Sequence, residues 1–202
     1  MNSNDIDYSA ISSHIPHVLQ SLYIDKILDS VSLVEIRDAF RINQMQGKAW
    51  LLDQLKDVDR NSKVVIIGSW LGFTSYCLYK MGFTFITETD PDARLTRIAT
   101  HINSSNPNFI HLQKDVNDLD LADYDLVIST SCEHIGNNSW FTTIRPGALV
   151  VLQSTNLKWH DHVNTVNSVQ EFQRQFNLNF QYSDEMFFNP IFSRYMIIGE
   201  KP

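Results

Sequence analysis

The feature that most limits how this chain can fold is a regular alternation of apolar runs and helical patterns between residues 63 and about 155. The first run, residues 63–68, is β-branched throughout its centre and ends in glycine, which is typical of a parallel strand buried on both faces. Strands that alternate with helices indicate βαβ units, and such units build a parallel sheet covered by helices. We therefore predict an α/β fold with a doubly wound, Rossmann-like sheet.

The other predicted elements continue this order towards the end of the chain. The predicted strands after the first are 83–87, 108–112, 124–129, 148–153, 180–186 and 195–199, and the predicted helices are 72–81, 92–103 and one around 169–176. Asp90 is a plausible N-cap of the second helix, with Pro91 in its first turn. The sheet therefore has about seven strands, and an antiparallel last strand beside the parallel ones fits this order.

The part of the chain before the first strand has helical periodicity and little strand signal. The apolar positions that define two helices there are Val18, Leu19, Leu22, Ile24, Ile27 and Leu28 for one, and Leu33, Ile36, Phe40 and Met45 for the other. A further apolar face covers residues 49–55. We predict a helical N-terminal cap over residues 1–60 and a Rossmann-like domain over residues 61–202.

Composition excludes several functional classes. The chain is 43% hydrophobic and 19% charged, as in ordinary soluble proteins, and its net charge of -7 disfavours nucleic acid as a partner. Cys77 and Cys132 have neither metal-site nor secreted-disulfide spacing, which favours a reducing cytoplasm. No apolar run approaches the roughly 20 residues that cross a bilayer, and residues 1–13 do not resemble a signal peptide. We expect a cytoplasmic protein without membrane association, and the oligomeric state is left open.

The turn after the first strand is the first candidate binding element. Gly68 and Gly72 would let the backbone bend tightly and approach a ligand, although an ordinary strand–helix turn has the same pattern. Glu88 ends the next strand 20 residues further on, where a carboxylate can accept hydrogen bonds from ribose hydroxyls. Asp115 follows the third strand and could reach an adenine amino group, or else be a solvated loop acid.

Five segments together resemble the class I S-adenosylmethionine-dependent methyltransferases over roughly residues 63–200. They are 64–72 (Val-Val-Ile-Ile-Gly-Ser-Trp-Leu-Gly), 88–92, 115–116, 124–134 and 145–151. More narrowly, the motifs at 68–72, 131–135 and 152–156 resemble a group of phage and bacterial methyltransferase-like proteins. The resemblance implies a seven-stranded sheet with the last strand antiparallel, and S-adenosyl-L-methionine as the cofactor.

The resemblance also implies where the cofactor lies: the methionine part near the glycine turn, the ribose on Glu88, and the adenine near Asp115. The cofactor-binding residues expected on this basis are Gly68, Ser69, Trp70, Gly72, Glu88, Thr89, Asp115, Val116 and Ser129. Two features depart from the family pattern, because Ile66 stands where an acidic residue is usual and only two of three glycines are present. NAD is the weaker alternative, since a pyrophosphate usually needs three glycines at this turn.

The end of the fourth strand is the expected acceptor site. It lacks the Asp/Asn-Pro-Pro-aromatic motif of enzymes that methylate base amino groups, which favours a small polar acceptor molecule. Glu133 and His134 instead resemble a step found in small-molecule methyltransferases, and His134 could serve as the general base. Equally, Glu133 and His134 could simply open and organise the next helix.

Two further histidines leave a metal site open. His160 and His162 follow the fifth strand, so Glu133, His134, His160 and His162 could converge on a divalent ion. Similar arrangements occur in small-RNA 2′-O-methyltransferases and ubiquinone-pathway O-methyltransferases, but Thr130 stands where those enzymes carry one more glutamate. We expect no metal, with these histidines lining the acceptor pocket instead. The alternative functions are an RNA or nucleotide methyltransferase, metal-assisted or not, and a non-catalytic module that binds S-adenosylmethionine or a nucleoside.

Overall fold

A computed structural model describes residues 1–24 and 31–202. Its seven strands form one sheet in the order β3-β2-β1-β4-β5-β7-β6. The strands are β1 Val64–Ile67, β2 Ile86–Thr89, β3 Ile110–Leu112, β4 Leu126–Ser129, β5 Leu149–Thr155, β6 Asn179–Asn189 and β7 Phe192–Glu200. Strands β1 to β5 pair in parallel, whereas β7 runs antiparallel to both β5 and β6. The predicted fold class, including the antiparallel last strand, is confirmed.

The central strands are apolar because helices and loops cover both faces of the sheet. All four residues of β1 are at most 1% exposed, and β4 is buried along its whole length. Side chains of β1 alternate between two core clusters, with Val64 and Ile66 in one and Val65 and Ile67 in the other. This two-sided burial explains why β1 reads as a continuous hydrophobic run.

The helices are α1 Ser9–Ser12, α2 Ile15–Ile24, α3 Leu33–Ala39, α4 Ile42–Gln54, α5 Phe73–Lys80, α6 Ala93–Ile102 and α7 Val169–Gln173. Short 3-10 helices cover Ser3–Asp5, Val116–Asp118, Cys132–His134 and Ser139–Thr143. The predicted helical positions Ile27 and Leu28 lie outside the described residues. No helix in the described ranges is both long enough and apolar enough to cross a membrane.

Three local predictions were wrong. Leu33, Ile36, Phe40 and Met45 do not share one helix, because α3 ends at Ala39 with Phe40 as its C-cap, and Met45 lies in α4. Residue 83 does not begin a strand, because the Phe83 amide donates to the Leu78 carbonyl and closes the end of α5, and β2 starts only at Ile86. Asp90 does not cap α6. Asp92 does so by accepting from the Arg94 amide at 3.0 Å, while the Asp90 carboxylate binds other backbone amides.

The N-terminal helices pack against the sheet rather than standing apart from it. Trp50 and Leu51 of α4 are fully buried in the same core cluster as Ile66 of β1. The Gln153 side chain on β5 donates to the Gly47 carbonyl at 3.0 Å, which ties α4 to the sheet. Ile36 and Ala39 of α3 belong to the same core cluster, so α3 packs onto this core as well. The boundary at residue 60 between a cap and a domain stays a prediction.

Candidate cofactor and acceptor site

Two adjoining cavities lie at the carboxyl ends of the central strands, where open α/β sheets bind ligands. The β1–β2 cavity, of about 720 Å³, is lined by the ends of β1 and β2 and by the segment after β3. The β4–β5 cavity, of about 500 Å³, is lined by the ends of β4 and β5 and by α3 and α4. The residues shared by both walls are Asp38, Gly68, Trp70, Ser131, His134 and Asp161. The two cavities therefore meet at the turn after β1.

The two glycines of this turn serve different purposes. Both have a left-handed backbone, with φ of +65° at Gly68 and +76° at Gly72. A Cβ at Gly68 would have only the Ser131 Cβ within 4 Å, at 3.9 Å, so this backbone faces open space. A Cβ at Gly72 would meet the Ala99 Cα at 3.0 Å. Gly68 therefore leaves room for a ligand, whereas Gly72 lets α5 pack closely against α6.

Trp70, which follows Gly68 and Ser69, has an unusual backbone conformation. It has a φ of +52°, which costs a non-glycine residue about 1–2 kcal/mol. Its amide donates to the Asp90 carboxylate at 3.1 Å, and this bond holds the turn in its unusual conformation. Trp70 lines both cavities, and its partly buried side chain packs against the core cluster that contains the N-terminal helices. A bulky residue thus stands at this turn, where the usual motif has a small one.

Glu88, the expected ribose ligand, has other partners. Its side chain is 0% exposed, with one carboxylate oxygen accepting from the Ser75 hydroxyl and the other 3.0 Å from the His111 Nδ1. It lies off the walls of both cavities. Asp90, two residues later, is one of the acidic residues that line the β1–β2 cavity, and burial raises the pKa of its carboxyl above the ordinary value.

The segment after β3 forms the far wall of the β1–β2 cavity. Asp115 is exposed, and its carboxylate accepts from the Asn117 amide at 2.9 Å. Val116 is 6% exposed and adds an apolar side chain to the same wall. Thr89, at the end of β2, also lines this wall, and its hydroxyl donates to the Lys114 carbonyl at 2.6 Å. An exposed acceptor group thus lies next to an apolar surface.

The nine predicted cofactor residues divide into three groups. Gly68, Trp70, Thr89, Asp115 and Val116 line the β1–β2 cavity, Ser69 lines the β4–β5 cavity, and Gly72, Glu88 and Ser129 lie off both walls. Ser129 is 0% exposed inside the sheet. The Ser69 hydroxyl is buried and has no hydrogen-bond partner among the described residues. The turn after β1 and the segment after β3 thus lie on the same cavity, and the binding roles of these residues stay a prediction.

The predicted catalytic pair lies on the 3-10 helix that follows β4. Glu133 is 4% exposed, and its Oε2 has no hydrogen-bond partner in the described part of the chain. Its backbone carbonyl accepts from the Val163 and Asn164 amides at 2.8 and 2.9 Å, which anchors the loop after β5. His134 is more exposed and lines both cavities. His134 therefore lies at the junction of the two cavities, and Glu133 lines the β4–β5 cavity next to it.

Backbone carbonyls determine the tautomers of two histidines. His134 Nδ1 lies 3.2 Å from the Asp161 carbonyl oxygen, and His162 Nδ1 contacts the Leu157 carbonyl oxygen. Because a carbonyl oxygen only accepts, each Nδ1 carries a hydrogen, and in the neutral imidazole Nε2 then keeps a lone pair. One side-chain ligand atom each from Glu133, His134 and His162 lies within 4.8 Å of the others. His160 is not in this group and lines the β1–β2 cavity instead.

Sequence reasoning missed the cationic part of the β4–β5 cavity. Lys48 on α4 and Arg194 on β7 both line it. Arg194 is only 4% exposed, and its Nη1 donates to the Thr130 carbonyl at 3.0 Å. Burial, followed by the nearby Arg194, lowers the pKa of the Lys48 ammonium to about 8. The sequence does contain one signal of this cationic site, because Arg194 is a charged residue within the largely apolar run 192–199.

Solved structures show that this architecture is shared with methyltransferases. The N-methyltransferase NodS from Bradyrhizobium japonicum WM9, in complex with S-adenosyl-L-homocysteine, superposes with a TM-score of 0.70 at 11% identity, over 90% of this chain and 99% of that one. The geranyl diphosphate C-methyltransferase from Streptomyces coelicolor A3(2), with Mg²⁺, geranyl diphosphate and S-adenosyl-L-homocysteine, gives 0.65 at 12% identity, over 83% and 82%. Magnesium protoporphyrin IX methyltransferase from Synechocystis PCC 6803, with bound S-adenosyl-L-homocysteine, gives 0.62 at 10%, over 88% and 91%.

At such low identities the likeness concerns the fold. The chain has the Rossmann-like fold of the S-adenosylmethionine-dependent methyltransferases. No protein-family model matches the chain, and no curated protein matches it.

Proposed function

We propose that this protein is an S-adenosylmethionine-dependent methyltransferase that acts on a small polar acceptor. The observation that carries the proposal is the pair of cavities meeting at Gly68 and Trp70, one suited to a nucleoside and the other to an acceptor. The fold neighbours with bound S-adenosyl-L-homocysteine support it. The closer relation to phage and bacterial methyltransferase-like proteins and the cytoplasmic location remain predictions from the sequence.

The residues of the β1–β2 cavity fit the adenosyl group. Its volume lies within the roughly 300–1,000 Å³ of small-molecule sites. The Asp115 carboxylate would accept from the adenine amino group, and the Val116 side chain would pack against the ring. The open space at Gly68 leaves room for the methionine arm, and the unpartnered Ser69 hydroxyl is available to bind it. When bound, the cofactor supplies an electrophilic methyl group on a sulfonium.

We assign the ribose contact to Asp90 rather than to Glu88. The two Asp90 oxygens each accept one backbone amide, from Trp70 and from Asp92, and a carboxylate has lone pairs to accept more. Glu88 would have to give up its contacts with Ser75 and His111 to reach the cavity. Its role is then to join β2, β3 and α5 beneath the site.

His134 is the proposed general base. The hydrogen bond from its Nδ1 to Asp161 leaves Nε2 as the proton acceptor, at the wall common to both cavities. Methyl transfer is a direct displacement, so the remaining work of the site is to align the acceptor and exclude water. Trp70 and the loop after β5, anchored on the Glu133 carbonyl, would do this.

Calorimetric titration with S-adenosyl-L-homocysteine tests the cofactor assignments. Asp90→Ala is expected to weaken binding by about 1–3 kcal/mol, because charge-assisted hydrogen bonds to the ribose are lost. Glu88→Gln, which keeps the shape of the buried side chain, is expected to bind as the wild type does. If Glu88→Gln weakens binding and Asp90→Ala does not, the ribose contact is made by Glu88. His134→Ala should bind the cofactor normally and lose turnover, and an unchanged rate would exclude it as the base.

A second candidate is metal-assisted transfer, and the cluster of Glu133, His134 and His162 favours it. Both histidines present a free Nε2 while their Nδ1 donates to a backbone carbonyl, as metal-bound histidines commonly do. The buried Glu133 Oε2 lacks a partner that a cation would supply. Mixed nitrogen and oxygen ligands suit a divalent transition metal or Zn²⁺.

Metal binding can be measured without any acceptor. Co²⁺ added to the metal-free protein should produce visible absorption bands that His162→Ala abolishes and His160→Ala leaves intact, because His160 lies outside the cluster. Equal loss in both variants, or no Co²⁺ binding by the wild type, would remove this candidate.

A further inference from the structure

The β4–β5 cavity is unevenly charged. Four cationic side chains line it, namely Arg37, Arg41, Lys48 and Arg194. Arg37 and Arg41 share one carboxylate, since Asp38 lies 3.4 Å from Arg37 and 3.0 Å from Arg41. The other two have no ion pair within 4 Å among the residues that the structure describes. The unbalanced positive charge is therefore at the end formed by Lys48 and Arg194.

Arg194 is held rigidly at this end. Its stem lies against Gly47, where an added Cβ would be 3.0 Å from the Arg194 Cδ. One terminal nitrogen donates to the Thr130 carbonyl, and the other is 3.5 Å from the Gln44 side-chain oxygen. Its Nε is buried and has no partner in the described part of the chain. The guanidinium is thus positioned by neutral groups, with Glu133 as the nearest opposite charge acting on it.

Lys48 adds a second charge to the same wall. It projects from α4 into the cavity, and no hydrogen bond of its ammonium group is found within residues 1–24 and 31–202. Its electrostatic neighbours are Arg194, which repels it, and the neutral, buried Cys77 thiol. Lys48 and Arg194 thus line one cavity with only the Glu133 carboxylate near them within the described ranges. Partly buried cations without enough opposite charge are unfavourable, and a bound anion would relieve this.

We propose that the acceptor carries an oxyanion, a carboxylate or phosphate, and that Lys48 and Arg194 bind it. This rests on the proposed function, because it names the class of acceptor in the same site. Neither cation lines the β1–β2 cavity, so the anion is not part of the adenosyl group, and a separate titration distinguishes the acceptor from the methionine carboxylate of the cofactor. Binding the anion at this end would turn the remainder of the acceptor towards His134, which lines the same cavity.

Malonate, with malonamide as its uncharged counterpart, is a suitable probe, together with inorganic phosphate. Binding to the metal-free protein is measured by calorimetry at pH 7. The wild type should bind malonate at least tenfold more tightly than malonamide, and Lys48→Met should remove most of that preference. Lys56→Met is the matched control, because Lys56 is exposed, pairs with Asp53 and lies outside the β4–β5 cavity. No preference in the wild type, or equal losses in the two variants, would overturn the proposal.

A second titration separates the acceptor from the cofactor's own carboxylate. S-adenosyl-L-homocysteine carries an amino acid group that 5′-methylthioadenosine lacks. Lys48→Met should leave the affinities for both unchanged. A loss confined to S-adenosyl-L-homocysteine would assign the cations to the cofactor and overturn the proposal. If the wild type binds neither nucleoside but still prefers malonate, the proposed function fails while the anion site stands.

Discussion

Replacing Lys48 with methionine is expected to make the folded protein more stable, although it should impair anion binding. Lys48 is an ammonium group held in the cavity wall beside a second cation, and the fold disfavours its charged form. Methionine has a similar length and no charge, so it can occupy the same space without the desolvation penalty. A stabilising substitution in a binding cavity is expected where a charge is kept for function.

The magnitude follows from the pKa of Lys48, which falls from 10.5 to about 8. That difference corresponds to about 3 kcal/mol favouring the neutral form in the folded state. Since the folded-state pKa is depressed, the penalty is fully present below pH 8 and disappears as the pH rises through 10.5. For a chain of this size the gain amounts to about 6–12 °C in Tm at pH 7.

Thermal unfolding followed by circular dichroism at pH 7 and at pH 10.5 measures this. The Tm of Lys48→Met should be higher than that of the wild type at pH 7, and this difference in Tm should become smaller at pH 10.5. Burial raises the pKa of the Cys77 thiol to about 12, so this neighbour of Lys48 does not titrate within the interval. Lys56→Met, which removes an exposed ion pair, should leave the Tm nearly unchanged at both pH values. An unchanged or lowered Tm of Lys48→Met at pH 7 would refute the account of Lys48.

Three further outcomes are expected. Gly72→Ala should lower the free energy of unfolding in urea by about 2–4 kcal/mol, because the backbone at this position is left-handed and the new Cβ would clash with the Ala99 backbone. A loss no larger than that of Gly68→Ala would contradict this. Gly68→Ala should cost about 1–2 kcal/mol of stability and weaken S-adenosyl-L-homocysteine binding, and full affinity in calorimetry would show that the cofactor lies elsewhere. Burial raises the thiol pKa of Cys77 and Cys132 to about 12, so both thiols should react with a disulfide reagent only after the protein unfolds. Fast labelling of either thiol in native buffer would contradict its buried position.

The parallel sheet could be predicted because its signal is local. The buried strand β1 and the turn at Pro146-Gly147 before β5 each carry their pattern in a few adjacent residues. The direction in which a side chain points at the end of a strand cannot be predicted from a few adjacent residues. Glu88 lies near the end of β2 and Asp90 directly follows the strand. Their different partners, Ser75 for Glu88 and Trp70 for Asp90, are set by packing between elements.

Convergence of distant residues also escapes sequence reasoning. The chain order suggested that His160 and His162 lie near Glu133, but only His162 joins the cluster, since the loop after β5 turns His160 towards the other cavity. The pairing of Lys48 with Arg194 depends on α4 packing across the sheet onto β7, 146 positions further along the chain. No spacing rule in the sequence connects these two.

The central claim is that the paired cavities hold S-adenosylmethionine, and the most direct test is a calorimetric titration of the wild-type protein with S-adenosyl-L-homocysteine beside NAD and ATP. We expect one molecule of S-adenosyl-L-homocysteine to bind per chain, with clearly weaker or no binding of the two phosphate-bearing nucleotides. Tighter binding of NAD or ATP, or no binding of S-adenosyl-L-homocysteine, would contradict the claim.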